Sequence, residues 1–134
     1  MLFRSTEFEW RPYGNELALC QRYYEMSYDI GTALGTTTNV GRCNAGGTAA
    51  GQTTGFISGG HIYFKVQKRA TPTITAYDGA GNSGKCSRFT LGGPDTSNSS
   101  VSIADQAQNG WFPYSSGTSN DSGMGVHWTA SSEL

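Results

Sequence analysis

Two histidines, His61 and His127, are the only imidazoles in this chain of 134 residues. A serine hydrolase would need a nucleophile beside one of them, and no G-x-S-x-G sequence is present to supply it. His127 stands between Val126 and Trp128 in a predicted strand, so its side chain should face away from both. We expect it to be a surface or interface histidine, and we expect neither histidine to be catalytic.

Paired carboxylates, as used by glycosidases, are a second possible chemistry. Asp78 and Asp121 lie directly beside Gly, Asn or Ser, which is the setting of Asx turns. The Asp78–Asn82 stretch also lacks the alternating acidic ligands and the terminal glutamate of an EF-hand calcium loop. The turn interpretation applies to Asp29, Asp78, Asp95, Asp105 and Asp121.

Three widely spaced cysteines, Cys20, Cys43 and Cys86, do not suit a disulfide framework or a zinc site with closely paired ligands. The sequence therefore predicts no catalytic residue, no metal ligand and no cofactor. We expect a protein that is not an enzyme.

Clustered aromatic residues are more informative. Trp111, Phe112 and Tyr114 surround Pro113, and a second group contains Tyr23, Tyr24 and Tyr28. Sugar rings stack on such flat apolar faces, while amide and carboxylate groups bind the hydroxyls. The alternative is a place in the core, because a loop-rich domain needs its large side chains inside. The residues alone leave both interpretations open.

The elements that position these residues are predicted to be short strands. Glycine occurs nineteen times, with many threonines, serines and asparagines, which favours turns and strands over helices. The clearest strand is Ile62–Lys68, in which Ile62, Phe64 and Val66 alternate with polar residues. Further strands are expected at 73–77, 85–91, 101–104, 110–114 and 125–130. This spacing predicts an all-β fold, an antiparallel β-sandwich or jelly-roll-like domain with long loops and little helix.

The first third of the chain has weaker signals. Residues 1–16 are expected to form an extended N-terminal arm or connector, and residues 17–134 a single β-sandwich domain. Glu16–Tyr28 contains the one plausible helix, and we favour a short helical turn or extended arm that runs into a strand. Gly31–Gly60 should be loop, with brief strands at Val40 and at Phe56-Ile57.

Charge and hydropathy exclude several partner classes. The chain has nine Lys and Arg residues and ten Asp and Glu residues. Its formal net charge of −1 therefore offers no basic field for nucleic acid or anionic lipid. No apolar run is long enough to span a bilayer, and the opening Met1–Arg11 lacks the apolar core of an export signal. We therefore expect no nucleic-acid partner and no membrane insertion.

Three stretches of the chain closely resemble segments of bacteriophage tail fibre proteins, in the same order. They are FEWRPYGNELALCQRYYE (8–25), FKVQKRATPT (64–73) and VHWTASSEL (126–134). The resemblance implies the distal, C-terminal domain of a fibre in the virion, built as a homotrimer with two further copies of the chain. Such tips bind the bacterial surface, commonly a polysaccharide, without a cofactor. A structural trimerisation cap without receptor binding is the alternative, and a capsule depolymerase is a further one.

Two sets of residues follow from this resemblance and from the chemistry above. The Gly31–Gly60 region matches no fixed family pattern, as expected of a loop that varies with the receptor. The candidate receptor-binding residues are Asn39, Arg42, Asn44, His61, Trp111 and Tyr114. The candidate trimer contacts are the apolar residues Phe8, Trp10, Tyr13, Leu17 and Leu19.

Overall fold

A computed structural model describes residues 10–45, 55–58, 60–90, 95–117 and 121–133. Within these ranges one short helix precedes a series of antiparallel strands, which confirms the predicted all-β fold. The elements are α1 (Tyr13–Gln21), β1 (Tyr24–Met26), β2 (Cys43–Ala45), β3 (Gly55–Ser58), β4 (Ile62–Tyr63), β5 (Thr73–Tyr77), β6 (Lys85–Thr90), β7 (Thr96–Ser100), β8 (Ser102–Ala104), β9 (Gly110–Gly117) and β10 (Asp121–Ser131).

The strands form two sheets in a sandwich-like arrangement, and each sheet has one long central strand. In the first, β10 pairs with β1, β2, β5 and β6, and β7 extends the sheet beyond β6. In the second, β9 pairs with β3, β4 and β8. Apolar side chains from both sheets meet between them as one core: Ile57, Ile62, Phe64, Ile74, Ala76, Cys86, Trp111, Met124, Val126, Trp128 and Ala130.

A short loop is inserted between β5 and β6. Tyr77 pairs with His127, whereas Ser87 pairs with Gly125 only two positions away on β10. The chain therefore leaves β10 after β5 and returns to it as β6. We call the excursion the short loop, residues 78–84.

A longer loop is inserted in the same way between β1 and β2. Met26 pairs with Thr129, and Cys43 pairs with Val126, three positions away on β10. The residues between these strands, 27–42, are the long loop. Both loops leave β10 at the level of residues 126–128.

The two loops meet and fix each other. The Thr38 amide donates to the Gly79 carbonyl, with a donor–acceptor distance of 3.1 Å. Gly81 has a φ of +90°, and a Cβ at this position would collide with the Gly35 carbonyl. Glycine is therefore required at Gly81 both for its backbone conformation and for the close approach of the loops.

The predicted helix that runs into a strand is confirmed, but the arm boundary is corrected. The helix begins at Tyr13, so residues 13–16 are helical and not extended. Pro12 precedes the helix, and its carbonyl accepts the amide of Asn15 at 2.9 Å. A proline suits this position because its fixed φ matches the first turn and its missing N–H is not needed there.

The strand predicted at Ile62–Lys68 is wrong in length, since β4 contains only Ile62 and Tyr63. The chain bends after Phe64, and the Lys65 amide donates to the Glu25 carboxylate at 3.1 and 3.2 Å instead of to a neighbouring strand. The predicted alternation nevertheless holds over this stretch, because Ile62 and Phe64 are buried while Tyr63 and Lys65 are exposed.

Two predictions for the long polar region have different outcomes. The strand around Phe56-Ile57 is confirmed as β3, whereas Val40 lies in the long loop with 63% of its surface exposed. The strand β7 was not predicted, because its sequence TSNSS has no alternation of apolar and polar residues. In the described part of the chain, no helix is long and apolar enough to cross a membrane.

Candidate functional site

A groove of about 470 Å³ lies between the start of the long loop and β4. The continuous segment from Ser27 to Ile30 forms one wall, and Tyr63 and Lys65 lie on the other side. The buried residues Ile62 and Trp128 form the floor. The full lining is Glu25, Met26, Ser27, Tyr28, Asp29, Ile30, Gly41, Cys43, Ile62, Tyr63, Lys65 and Trp128.

Exposed apolar side chains mark the rim of this groove. Tyr63 is 69% exposed and Ile30 is 90% exposed. The Tyr63 ring lies beside the His61 imidazole, with a centroid separation of 4.6 Å and an interplanar angle of 46°. The rim therefore presents a flat aromatic face to solvent, together with an imidazole that can donate or accept a hydrogen bond.

Charged groups of both signs line the same groove. Asp29 and Lys65 line the groove and are both exposed residues. Beneath them, the Glu25 carboxylate accepts a bond from the Lys68 ammonium at 2.7 Å, and both side chains are almost completely buried. The Lys68 ammonium also donates to the Gln21 carbonyl at the end of α1. This buried pair joins α1, β1 and the bend after β4, and so fixes the base of the groove.

A second, smaller groove of about 250 Å³ continues from the first toward α1. The two share Glu25, Met26, Tyr28, Ile30 and Lys65, and the second adds Leu17, Gln21 and Tyr24. The two grooves thus form one continuous surface from β4 to the helix.

The long-loop wall is held by His127, which the sequence predicts to be a surface or interface histidine. That prediction is wrong, because His127 is fully buried beneath the long loop of its own chain. Its Nε2 is 2.9 Å from the Thr38 carbonyl, and its Nδ1 is 3.3 Å from the Ser27 hydroxyl. The Tyr28 ring stacks on the imidazole with a centroid separation of 4.2 Å. His127 does point away from Val126, but the loop covers that face as well.

These contacts define the protonation state of His127. A carbonyl can only accept, so Nε2 carries the proton and donates to Thr38, while Nδ1 accepts from the Ser27 hydroxyl. Burial lowers the pKa of His127, the Thr38 bond opposes this, and the charge of Arg42 adds to the lowering. The imidazole is therefore neutral at pH 7.

A serine hydroxyl beside an imidazole could be a nucleophile and its base. The other hydrogen bonds of Ser27 and His127 point instead to a positioning role. The Ser27 hydroxyl oxygen accepts the Trp128 amide at 2.9 Å. The far nitrogen of His127 is bound to Thr38 in the same long loop. Each group therefore joins the loop to β10, and the pair fixes the backbone that begins the groove wall.

Three of the predicted receptor-binding residues lie together and are not part of the groove lining. The Arg42 Nε donates to the Asn44 side-chain oxygen at 2.8 Å, and its Nη2 contacts the Asp95 carboxylate at 3.1 Å. Asn39 and Arg42 both contact the position where Gly79 would carry a Cβ. The Arg42 guanidinium also lies 4.9 Å above the Phe89 ring centre, and its side chain is only 7% exposed. Arg42 thus joins the long loop to the sheet, while Asn39 and Asn44 remain exposed.

The other predicted receptor-binding residues are dispersed. His61 lies beside Tyr63 at the groove rim, as described above. Trp111 has no exposed surface and belongs to the core, so it is removed from the candidate set. Tyr114 is partly buried on β9, where it pairs with Ser58 and Ser102.

The predicted trimer contacts are exposed wherever the structure describes them. Trp10 and Tyr13 are 82% and 75% exposed, and Leu17 and Leu19 are 38% and 40% exposed. Phe8 lies outside the described residues. The helix α1 contributes no buried residue to the domain.

Asp78 confirms the Asx-turn interpretation in its strongest form. Its carboxylate accepts the amides of Ala80, Asn82 and Asn98 and the side-chain amide of Asn82, at 2.6 to 3.0 Å. Burial alone would raise the pKa of Asp78, but these bonds outweigh it and hold the pKa below its ordinary value. Both oxygens of Asp78 are thus engaged with amide groups of the short loop and of β7. Within the described ranges, no three His, Cys, Asp or Glu side chains converge as a metal site requires.

A separate polar groove of about 350 Å³ runs between β7 and β9. Hydroxyl groups dominate its lining, and its one cationic group, Arg88, is bound to the Asp121 carboxylate at 2.9 Å. It has no aromatic ring in its lining. The lining residues are Arg88, Thr96, Ser97, Asn98, Ser99, Ser100, Ser115 and Ser116.

Sequence reasoning missed the residues that define the main groove, namely Tyr63, Ile30 and Lys65. A signal for Tyr63 was present, because the alternation of Ile62 and Phe64 places Tyr63 on the wet face, where a large aromatic residue is unusual. Ile30 gave no such signal, since its exposure depends on the path of the long loop. Comparison with protein-family models, with curated proteins and with solved structures finds no match for this chain.

Proposed function

We propose that this chain is the distal domain of a bacteriophage tail fibre and that it binds a polysaccharide of the bacterial surface without cleaving it. The resemblance of three stretches of the sequence to tail fibre proteins supports the virion location. The groove between the long loop and β4 supports the binding of a sugar. In this proposal no cofactor takes part.

The observation that carries the proposal is the exposed Tyr63 ring at the edge of the 470 Å³ groove. A sugar ring stacked on Tyr63 places its hydroxyls within the groove, where the Asp29 carboxylate and the Lys65 ammonium are available. His61 beside the ring adds a further polar group. Such a site combines one apolar platform with several hydrogen-bonding partners.

Adsorption to bacteria tests the proposal. The assembled protein should bind the surface of its host cells and should retain defined sugars on an array of bacterial glycans. The polysaccharide recovered after incubation should keep its original length. Shortened chains indicate a depolymerase, and an absence of binding to any cell or glycan contradicts receptor binding.

Assembly as a homotrimer is part of the proposal, with the segment around α1 at the contact between copies. A helix of nine residues is too short to be stable in water by itself, and none of its residues is buried in this chain. Trp10 and Tyr13 alone expose on the order of 300 Å² of aromatic surface, given that such side chains cover ~150–250 Å² each. That is as large as the principal apolar patch of many monomers.

The exposed helix also favours the second candidate function, a trimerisation cap that binds no receptor. Sedimentation across a dilution series separates the assembly from the binding question. Trp10→Ala should weaken the trimer by about 2 kcal/mol if Trp10 lies at the centre of the contact. A wild-type protein that is monomeric at every concentration contradicts the trimer, and a stable trimer that adsorbs to no cell supports the cap.

A further inference from the structure

The wall of the main groove depends on a single buried titratable group. Ser27 and Tyr28 begin this wall, and both contact the His127 imidazole. Thr38, near the other end of the long loop, accepts the remaining imidazole proton. His127 therefore holds the long loop at two points.

We propose that His127 is a positioning residue for the groove: its neutral imidazole keeps the Ser27–Ile30 wall closed, and its protonation releases the long loop from β10. The inference rests on the proposed role of the groove as the sugar site. Sugar binding is therefore expected to be strongest near neutral pH and weaker in acid.

A second imidazole proton disturbs the hydrogen bonds around His127 and leaves a buried charge. With both nitrogens protonated, Nδ1 must donate to the Ser27 hydroxyl oxygen, which at present donates to it. That oxygen already accepts the Trp128 amide. The Ser27 hydroxyl proton then loses its acceptor, and a cation lies buried beneath an aromatic ring without a carboxylate among the contacts of His127 described above. An uncompensated buried charge is expensive, so opening of the loop and hydration of the imidazole become favourable.

The charged and titratable groups that face His127 come from the long loop, β5 and the short loop. Tyr28 stacks on it from the long loop, and burial raises the pKa of Tyr28 further above neutrality. Tyr77 faces it from β5, with its ring edge-on to that of Tyr28. The charge of Arg42 adds to the lowering of the His127 pKa, and the pKa of Asp78 at the base of the short loop lies below its ordinary value.

On β1, the Glu25 carboxylate is engaged with the Lys68 ammonium and the Lys65 amide. The remaining imidazole of the chain, His61, is exposed at the rim. Between pH 5.5 and 7.5, His127 is therefore the group under the loop whose charge is expected to change.

The sign of the pH effect follows from the lowered pKa of His127. The closed loop binds fewer protons than the open loop, in which the imidazole returns to its ordinary pKa of ~6.5. Closure is therefore fully favoured above about pH 6.5 and weakens as the pH falls below it. If the closed form stays neutral, lowering the pH from 7.5 to 5.5 increases the open fraction about tenfold.

Amide hydrogen exchange on the full chain tests this without a sugar. The informative amides are Thr38, bound to Gly79, and Ser27, bound to Trp128. Their protection factors, which remove the intrinsic pH dependence of exchange, should fall about tenfold between pH 7.5 and 5.5. The Phe64 amide, bound to the Asn109 carbonyl outside both loops, is the internal reference and should not change.

Two variants distinguish the histidines. His127→Gln keeps a donor for the Thr38 carbonyl but does not titrate, so the pH dependence at Thr38 and Ser27 should disappear. His61→Gln should retain the wild-type dependence. The proposal is overturned if the protection factors of Thr38 and Ser27 fall equally in wild type and His127→Gln, or if they do not fall in wild type. It is also overturned if the protection factor of the Phe64 amide falls by the same amount.

A second measurement applies if His127→Gln does not fold. In the His61→Gln protein, His127 is the one remaining imidazole, and its titration can be followed by NMR alongside the Thr38 amide. The two should change together. An imidazole that titrates while Thr38 stays protected overturns the proposal, whereas a pH-dependent loop in a protein that binds no glycan contradicts the proposed function alone.

Discussion

The central strand β10 and the helix α1 use their apolar residues in opposite ways. Residues 123–130 of β10 are all buried, and both edges of the strand are paired with other strands. In α1 no residue is buried, although Leu17 and Leu19 lie on it and Trp10 precedes it. Within the described residues the helix thus adds no buried side chain to the domain, and its apolar side chains stay at the surface.

The difference also explains where the grooves lie. Both edges of β10 are paired with other strands and its central residues are buried, with Trp128 at the floor of the main groove. The grooves instead follow the start of the long loop and extend to α1, where exposed side chains such as Tyr63 and Ile30 remain. The buried central strand and the exposed rim of the groove thus belong to separate parts of the chain.

Matched tryptophan substitutions give the sharpest test of this contrast. Trp111→Ala removes a fully buried side chain and should lower the free energy of unfolding by about 3–5 kcal/mol. Trp10→Ala should change it by less than about 0.5 kcal/mol at concentrations where the chain is monomeric. Denaturant unfolding measures both. Trp111→Phe is the control, since it keeps an aromatic ring in the cavity and should cost less than alanine. Equal losses for the two alanine variants contradict the assignment of Trp10 to the exposed surface.

The buried Glu25–Lys68 ion pair, which joins α1 to β1 and the bend after β4, should also be costly to break. Lys68→Met leaves the Glu25 carboxylate buried without its cation and should destabilise the domain by about 3–5 kcal/mol. The loss should shrink when Glu25→Gln removes the stranded charge. Lys85→Met is the surface control, because the Lys85 ammonium contacts only the exposed Ser100 hydroxyl at 3.3 Å. If Lys68→Met is equally destabilising with and without Glu25→Gln, the stranded Glu25 charge is not the cause of the destabilisation.

Asp78→Asn should have a smaller effect, of about 1–3 kcal/mol, because an amide replaces one acceptor oxygen with a donor that faces other donors. The lowered pKa of Asp78 adds a pH dependence. Its contribution to stability is complete above its ordinary pKa of ~3.9 and is lost as the pH falls through the lower folded value. Acid unfolding of the wild type and Asp78→Asn should therefore converge at low pH. Parallel curves down to pH 2 contradict this role.

Local patterns in the sequence predicted the strands that have apolar alternation. Thr73–Tyr77 is reproduced without change, because alternating β-branched and small residues suit one buried face. Ile62–Lys68 has the same alternation but contains only a short strand. Its continuation pairs with the Glu25 carboxylate, a contact forty positions away in sequence that no local pattern encodes.

The burial of His127 and the place of the groove were not predictable for a related reason. The sequence places His127 on the face opposite Trp128, and this is correct, but a loop of polar residues covers that face. Loop coverage depends on where the chain leaves and rejoins β10, which the composition of the loop does not specify. Arg42 was selected as a surface residue from its loop context, whereas Asp95 and Phe89 engage it in the fold.

Titration of the assembled protein with the bacterial glycan that the wild type retains tests the central claim most directly. Tyr63→Ala should weaken binding at least about tenfold, equivalent to ~1.4 kcal/mol, and leave the unfolding free energy unchanged within about 0.5 kcal/mol. Tyr63→Phe keeps the stacking surface and should bind nearly as well as wild type. Val40→Ala is the control for an exposed apolar residue outside the groove lining. If Tyr63→Ala binds as tightly as Val40→Ala, the sugar is not held at this groove and the account is contradicted.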